Sequence, residues 1–257
     1  MANPSAPCRF VTKNRTKHIM KKILVLALCL CLSPAALAEV VATVTHLSGL
    51  LSTRHADGSS KVLAVGSEVQ PGDTLATARD TYARIRFLDA SEVVLRPGSQ
   101  VKVESFYYEK AKPDKDGFAL NLIKGGMRAV TGLIGKRNKE AVRYTTPTAT
   151  IGIRGTHFGA LFCQGDCADV QTVSGKIPDD GLYVDVAQGS IALQNVAGTL
   201  VVNTGEFGYV RNPTTAPVAV PPESGVQVTM PTAISQNKAN DVAGMARGSS
   251  AGECVAQ

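Results

Sequence analysis

The strongest constraint on the fold of this chain is an alternation of period two, repeated in short runs that glycine or proline interrupts. In Tyr82-Ala83-Arg84-Ile85-Arg86-Phe87 the residues Ala83, Ile85 and Phe87 share one face, while Tyr82, Arg84 and Arg86 share the other. That pattern, with β-branched and aromatic residues on the apolar side, predicts a half-buried strand. Leu88-Asp89-Ala90-Ser91 makes a turn, Val93 and Leu95 continue into the next strand, and Arg96-Pro97-Gly98-Ser99 turns again. Val101 and Val103 then alternate with Lys102 and Glu104. Further strands are expected at 118–123, 143–144, 182–186, 190–193, 199–202 and 207–210, with glycine or proline in most gaps. No run between 40 and 210 sustains a helical apolar period. Many short strands without intervening helices predict an all-β domain, a jelly-roll-like sandwich or roll. About 170 residues bury one continuous core, so one domain over 39–211 is expected.

The two ends read differently. Lys21 and Lys22 precede an apolar run, 23–32, broken only by Cys29 and Cys31. Ser33 and Pro34 end it, and Ala36-Leu37-Ala38 offers small residues at an A-x-A site, so a leader cut after Ala38 is expected. A bilayer span takes roughly 20 apolar residues, and this run is half that. Met20 is the expected true start, with 1–19 as an upstream extension. The exported product is expected in the periplasm or outside the cell, not membrane-spanning once the leader is removed. From 212 to 257 the composition shifts to proline and small residues. That stretch reads as a Pro-rich tail, disordered or weakly helical over 233–246.

Leader removal changes the charge. The chain carries 27 Lys and Arg against 21 Asp and Glu, but six of the bases lie in 1–38, which hold no acid. The remainder is balanced at 21 of each sign, which argues against nucleic acid as a partner. Of six cysteines, Cys163, Cys167 and Cys254 remain. Cys163 and Cys167 are spaced for a local disulfide within an inserted loop, 163–181. Free thiols or a metal half-site are the alternatives.

One strand carries a parity conflict. In Thr145-Thr146-Pro147-Thr148-Ala149-Thr150-Ile151-Gly152-Ile153-Arg154-Gly155-Thr156-His157-Phe158, Ile151 and Ile153 are odd, whereas Phe158, Ala160 and Phe162 are even. One face takes both sets only if a residue is inserted, so a β-bulge is expected at Arg154-Gly155. Arg154 is then expected as a buried or half-buried strut, bonded to turn carbonyls or to Asp73 or Asp89. Recognition of an anionic ligand is the alternative role.

The same segment resembles the signature of the FecR domain family, roughly T-P-x-A-x-x-G-x-R-G-T-x-F, carried here by Thr146, Pro147, Ala149, Gly152, Arg154, Gly155, Thr156 and Phe158. Pro71-Gly72-Asp73-Thr74-Leu75-Ala76-Thr77 is similar to its G-D-x-L-x-T turn. Phe87–Ser99 resembles its following hairpin, with Ala90 where glycine is commoner. Leu122-Ile123-Lys124-Gly125-Gly126-Met127-Arg128 looks like its l-x-x-G-x-x-R strand. Residues 184–189 and 205–210 resemble its closing strands. Members best known from iron-uptake signalling join a cytoplasmic anti-sigma segment and a membrane helix to this outer module. The resemblance here implies the outer module, which binds other envelope proteins.

No catalytic signature accompanies it. Gly132-Leu133-Ile134-Gly135-Lys136 has the wrong spacing for a phosphate loop and reads as a turn. No H-E-x-x-H occurs. No enzyme activity, cofactor or metal is therefore expected. The expectation is a non-catalytic interaction module, an accessory in envelope signalling, with an envelope or membrane protein as partner. Tyr82, Arg84 and Arg86 form its candidate face; the bland reading of that face is a solvated sheet surface. The alternative function is glycan or cell-wall binding.

Overall fold

The computed structural model describes residues 39–234. The expected leader, its Ala38 junction and Cys254 lie outside the described residues.

Short strands open the fold: β1 (Ala42–Leu47), β2 (Leu51–Arg54), β3 (Ser60–Leu63), β4 (Glu68–Val69), β5 (Thr74–Thr77), β6 (Ala83–Phe87), β7 (Glu92–Leu95) and β8 (Gln100–Tyr107). A long strand β9 (Gly117–Val130) leads through a one-turn helix α1 (Leu133–Arg137) to β10 (Val142–Thr145). Two more long strands, β11 (Thr150–Cys163) and β12 (Gly181–Asn195), precede β13 (Gly198–Asn203), β14 (Phe207–Val210) and β15 (Val218–Val220). The period-two reading of the chain therefore holds, and the fold is all-β. Two expected strands at 182–186 and 190–193 are one continuous β12, and the turn expected around Gly132–Lys136 is α1.

All fifteen strands belong to one hydrogen-bonded network whose hub is β9. The first half of β9 pairs with β8 and, in parallel, with β10; its second half pairs with β7 and β11. The strands β11 and β12 divide in the same way. Their outer halves, 150–154 and 190–194, pair together in the layer that holds β10 and β13. Their other halves, from His157 and up to Gln188, pair in the layer that holds β9, β14 and β15. Three long strands thus pass from one layer to the other.

Crossing from layer to layer reverses which side of each strand faces the core. In β9 the core residues are Phe118, Leu120 and Leu122, then Met127 and Ala129. In β11 they are Ile151 and Ile153, then Phe158, Ala160 and Phe162; in β12 they are Leu182, Val184 and Val186, then Ile191 and Leu193. The parity conflict seen in the sequence of β11 is one of three. The expected bulge is present, with the register shifting between Arg154 and His157 and Gly155 at φ 65°. Its counterpart in β12 is Gly189 at φ 78°, where a Cβ would stand 2.6 Å from the Gly155 carbonyl oxygen. Only glycine combines that backbone conformation with that approach.

Between the layers, aromatic rings run in sequence from Phe106 through Phe87, Phe118 and Tyr144 to Phe158, with centroids 4.7–5.6 Å apart. Offset and edge-on arrangements of this kind add to simple burial. Below them Asp89, fully buried, accepts hydrogen bonds from the Ser91 amide and hydroxyl and from the Ile134 amide. It ties the β6–β7 turn to α1.

The expectation of a tail without structure from 212 onward is corrected over 212–234. There β15 adds to the β14 edge, and Val226, Val228 and Ile234 are buried. Prolines limit sheet pairing but do not prevent an extended segment from packing its alternate residues. Residues 235–257, with most of the anticipated weak helix, lie outside the described residues. No helix among the described residues is long and apolar enough to cross a membrane.

Candidate functional site

A second, smaller apolar cluster lies on the opposite side of one layer from the main core. Leu161, Cys163, Cys167, Val170, Tyr183, Val226 and Val228 form it, with Tyr209 and Met230 packed against its edge. The strand residues among them have the outward parity of β11 and β12. What covers them is the loop 164–180 on one side and the segment 225–234 on the other.

Sheet register explains where that segment lies. Cross-strand partners define one outward row: His46, Arg84, Val94, Arg128, Gly159, Asp185 and Phe207. The C-terminal segment contacts several members of this row. Gly225 sits against the Phe207 ring, Val228 against Gly159, and the Ile234 carbonyl accepts a 2.6 Å hydrogen bond from the Arg84 guanidinium. The segment therefore crosses the strands instead of extending the sheet. It is also tied to the disulfide loop, since the amides of Val173 and Ser174 donate to the carbonyls of Gly225 and Glu223.

At the middle of the row, Arg128 and Asp185 hold one residue by its backbone. The Val228 amide donates to Asp185 Oδ1 at 3.0 Å, and Arg128 Nη1 donates to the Val228 carbonyl at 2.5 Å. Arg128 also gives two 3.0 Å hydrogen bonds to Asp185 Oδ2, and its Nε donates to His157 Nε2 at 2.8 Å. The arginine and aspartate side chains are only 11% and 6% exposed. Burial raises the Asp185 pKa, although Arg128 and the Val228 amide oppose the shift. Burial first, and then the adjacent guanidinium, lower His157 from 6.5 to about 4. A neutral imidazole is what this geometry requires, because Nε2 accepts from Arg128.

Gly159 completes the seat. Its backbone needs no glycine, but an added Cβ would collide with Asp185 Oδ1 and lie 2.5 Å from Val228 Cβ. The absence of a side chain at that point lets Val228 descend onto the sheet.

The sequence-selected residues fall into two groups. Most of the signature builds the fold. Thr146 closes the turn with the amides of Thr148 and Ala149, Ala149 and Phe158 enter the core, and Gly152 of β11 pairs with Arg143 of β10. Thr156 binds Thr131, and Pro147 is exposed in the turn. Gly72 takes φ 88°, while buried Asp73 binds the Gln70 amide and His55 Nδ1 at 2.6 Å. The strut expected of Arg154 is corrected. Its side chain is exposed, because it alternates with core-facing Ile151 and Ile153 and so lies on the outward side of β11, and Asp73 and Asp89 have other partners. It borders shallow hollows of ≈ 250 and ≈ 620 Å³ with Lys139 and Glu140.

Of the expected face, Arg86 is exposed and Tyr82 half-buried, whereas Arg84 is engaged by the C-terminal segment. The expected pair Cys163–Cys167 is a disulfide that pins the loop beside the second cluster. Asp185, Gly159, Val226 and Val228 were not selected from the sequence. A carboxylate inside Leu182-Tyr183-Val184-Asp185-Val186 and the Val226-Gln227-Val228 alternation were the available signals. No group of three or more metal-ligating side chains occurs among the described residues.

An all-β, two-layered module that seats an extended segment across its outer face is the class that this geometry defines. Residues 73–178 match the family described as FecR protein, the family whose signature the sequence resembles. Among curated proteins no relative matches. One similar solved structure, described as a cell surface anchoring domain, shares 26% identity over 25% of this chain and 84% of its own, with a TM-score of 0.24. Another, a candidate anti-sigma factor from Parabacteroides distasonis, shares 12% identity over 59% of this chain and 60% of its own, with a TM-score of 0.42. A second structure of such a protein from the same organism gives 13% identity, the same coverage and the same TM-score. The chain thus spans 60% of the length of these last two.

Proposed function

We propose that this FecR-domain protein is an exported, non-catalytic interaction module, an accessory in envelope signalling. Its working unit runs from about 39 to 234, after a leader that ends at Ala38. The observation that carries the reading is the grip of Arg128 and Asp185 on the backbone of Val228. A side-chain pair that satisfies both the N–H and the C=O of one residue recognises an extended chain as such. The FecR match over 73–178 supports the envelope-signalling setting. The partner on this reading is an envelope or membrane protein.

The test is cross-linking in intact cells with affinity-tagged protein, followed by mass spectrometry. Reproducible capture of a membrane sensor, receptor or transporter is the expected result. Recovery of cell-wall material alone would overturn the reading in favour of glycan binding.

A further inference from the structure

The covered row presents a physical puzzle. A sheet face that needs only to be shielded from water is covered well by apolar side chains. Here its centre is an ion pair almost wholly withdrawn from solvent. Replacing such pairs by apolar residues of similar size is often neutral or stabilising, so the pair is poorly explained by stability alone. What it supplies is orientation. Arg128 spends all its nitrogens on His157, Asp185 and one backbone carbonyl, and Asp185 reserves its second oxygen for one backbone amide.

The residue held there is specified by two other features. Gly159 gives space for a side chain directly over the sheet, and Val228 fills it completely, with no exposure. Two residues earlier Val226 is equally buried among Leu161, Cys167, Val170 and Tyr183, whereas Gln227 and Thr229 point to solvent. The seat therefore reads a backbone at one position and small apolar side chains at alternate positions. Nothing in these contacts requires that the occupant be covalently attached.

We infer that the outer face of β9, β11 and β12 is a peptide-binding groove, and that the chain's own segment 225–234 occupies it in cis. The external ligand is an extended peptide with a Val-x-Val-like pair of small apolar residues, presented by a partner protein. The inference rests on the interaction-module reading and adds its ligand and its regulation. The attached segment competes with the partner, so the partner's apparent affinity is reduced by the fraction of molecules whose groove is covered.

The test uses the full-length protein and a labelled peptide with the sequence of residues 225–234. Val226→Asp together with Val228→Asp places carboxylates against Asp185 and the apolar seat, and so releases the segment. Fluorescence anisotropy is expected to show peptide binding to this variant at least ~10-fold tighter than to the unaltered protein. Adding Gly159→Ala to the released variant is expected to weaken that binding ~30-fold. A released variant that keeps its cooperative thermal transition but binds no peptide overturns the inference. So does one that loses the transition, since the segment would then be part of the obligatory core. Equal binding by the unaltered protein removes the competition. A dimer of the unaltered protein that becomes monomeric in the released variant assigns the groove to a second copy. Failure here leaves open capture of a partner through another surface, which the cellular cross-linking reads separately.

Discussion

Gly159→Ala alone is the most discriminating perturbation of the covered face. The β11 backbone at this position accepts alanine without strain, so any effect is steric. The new methyl lies 2.5 Å from Val228 Cβ and clashes with Asp185 Oδ1, which is itself fixed by Arg128. The carboxylate cannot retreat without breaking that pairing, so the segment must lift. Overpacking of this kind costs about 1–3 kcal/mol. Taking about 2 kcal/mol, the open population of the segment rises ~30-fold, since about 1.4 kcal/mol is a factor of ten. Hydrogen exchange followed by mass spectrometry reads this directly, because local opening sets amide protection. Peptides covering 226–230 are expected to exchange ~30-fold faster, while those from β9 and β12 keep their protection. Unchanged protection over 226–230 would refute the steric reasoning. Loss of protection throughout would refute the idea that the segment docks as a separate unit.

Other expectations concern the frame around that face. Arg154→Ala is expected to change stability by no more than about 0.5 kcal/mol in chemical denaturation, as for other exposed side chains; a large loss would restore the strut role. Gly189→Ala is expected to cost about 2 kcal/mol or more, because it combines a positive φ with a carbonyl at 2.6 Å, and a near-neutral denaturation midpoint would contradict the corner geometry. Ala90 is the only non-glycine residue with positive φ among the described residues, at 63°, so Ala90→Gly is expected to raise the melting temperature, a gain of about 0.5–1 kcal/mol. His157 titrates in the unfolded chain near 6.5 and in the folded one near 4, so between these values the unfolded state binds more protons. Its contribution is complete above pH 6.5 and is lost as pH falls to about 4; with allowance for its partial exposure this is on the order of 1–2 kcal/mol. His157→Gln is expected to flatten that part of the stability–pH profile.

The sequence by itself determined the elements and one of the corners. Alternation of Ala83, Ile85 and Phe87 against Tyr82, Arg84 and Arg86 is local information, because a strand's side-chain period is fixed by its own backbone. The switch from Ile151 and Ile153 to Phe158 and Ala160 is equally local, and it led to the bulge at Gly155. The Cys163–Cys167 spacing allowed a bridge for the same reason.

Tertiary structure decided what the outward faces meet. Arg154 lies on the outward face of β11, and nothing local says whether an arginine placed there reaches an acid. Asp185 belongs to the otherwise apolar stretch 182–186, but its partners Arg128 and Val228 are 57 and 43 residues away. The same distance problem hid the tail. Proline content and scarce bulky residues predicted disorder, yet two valines suffice when Gly159 leaves a seat and an ion pair satisfies the backbone of the second. Propensity measures what a segment does alone, whereas the order of 226–234 comes from a surface assembled by strands far away in the chain.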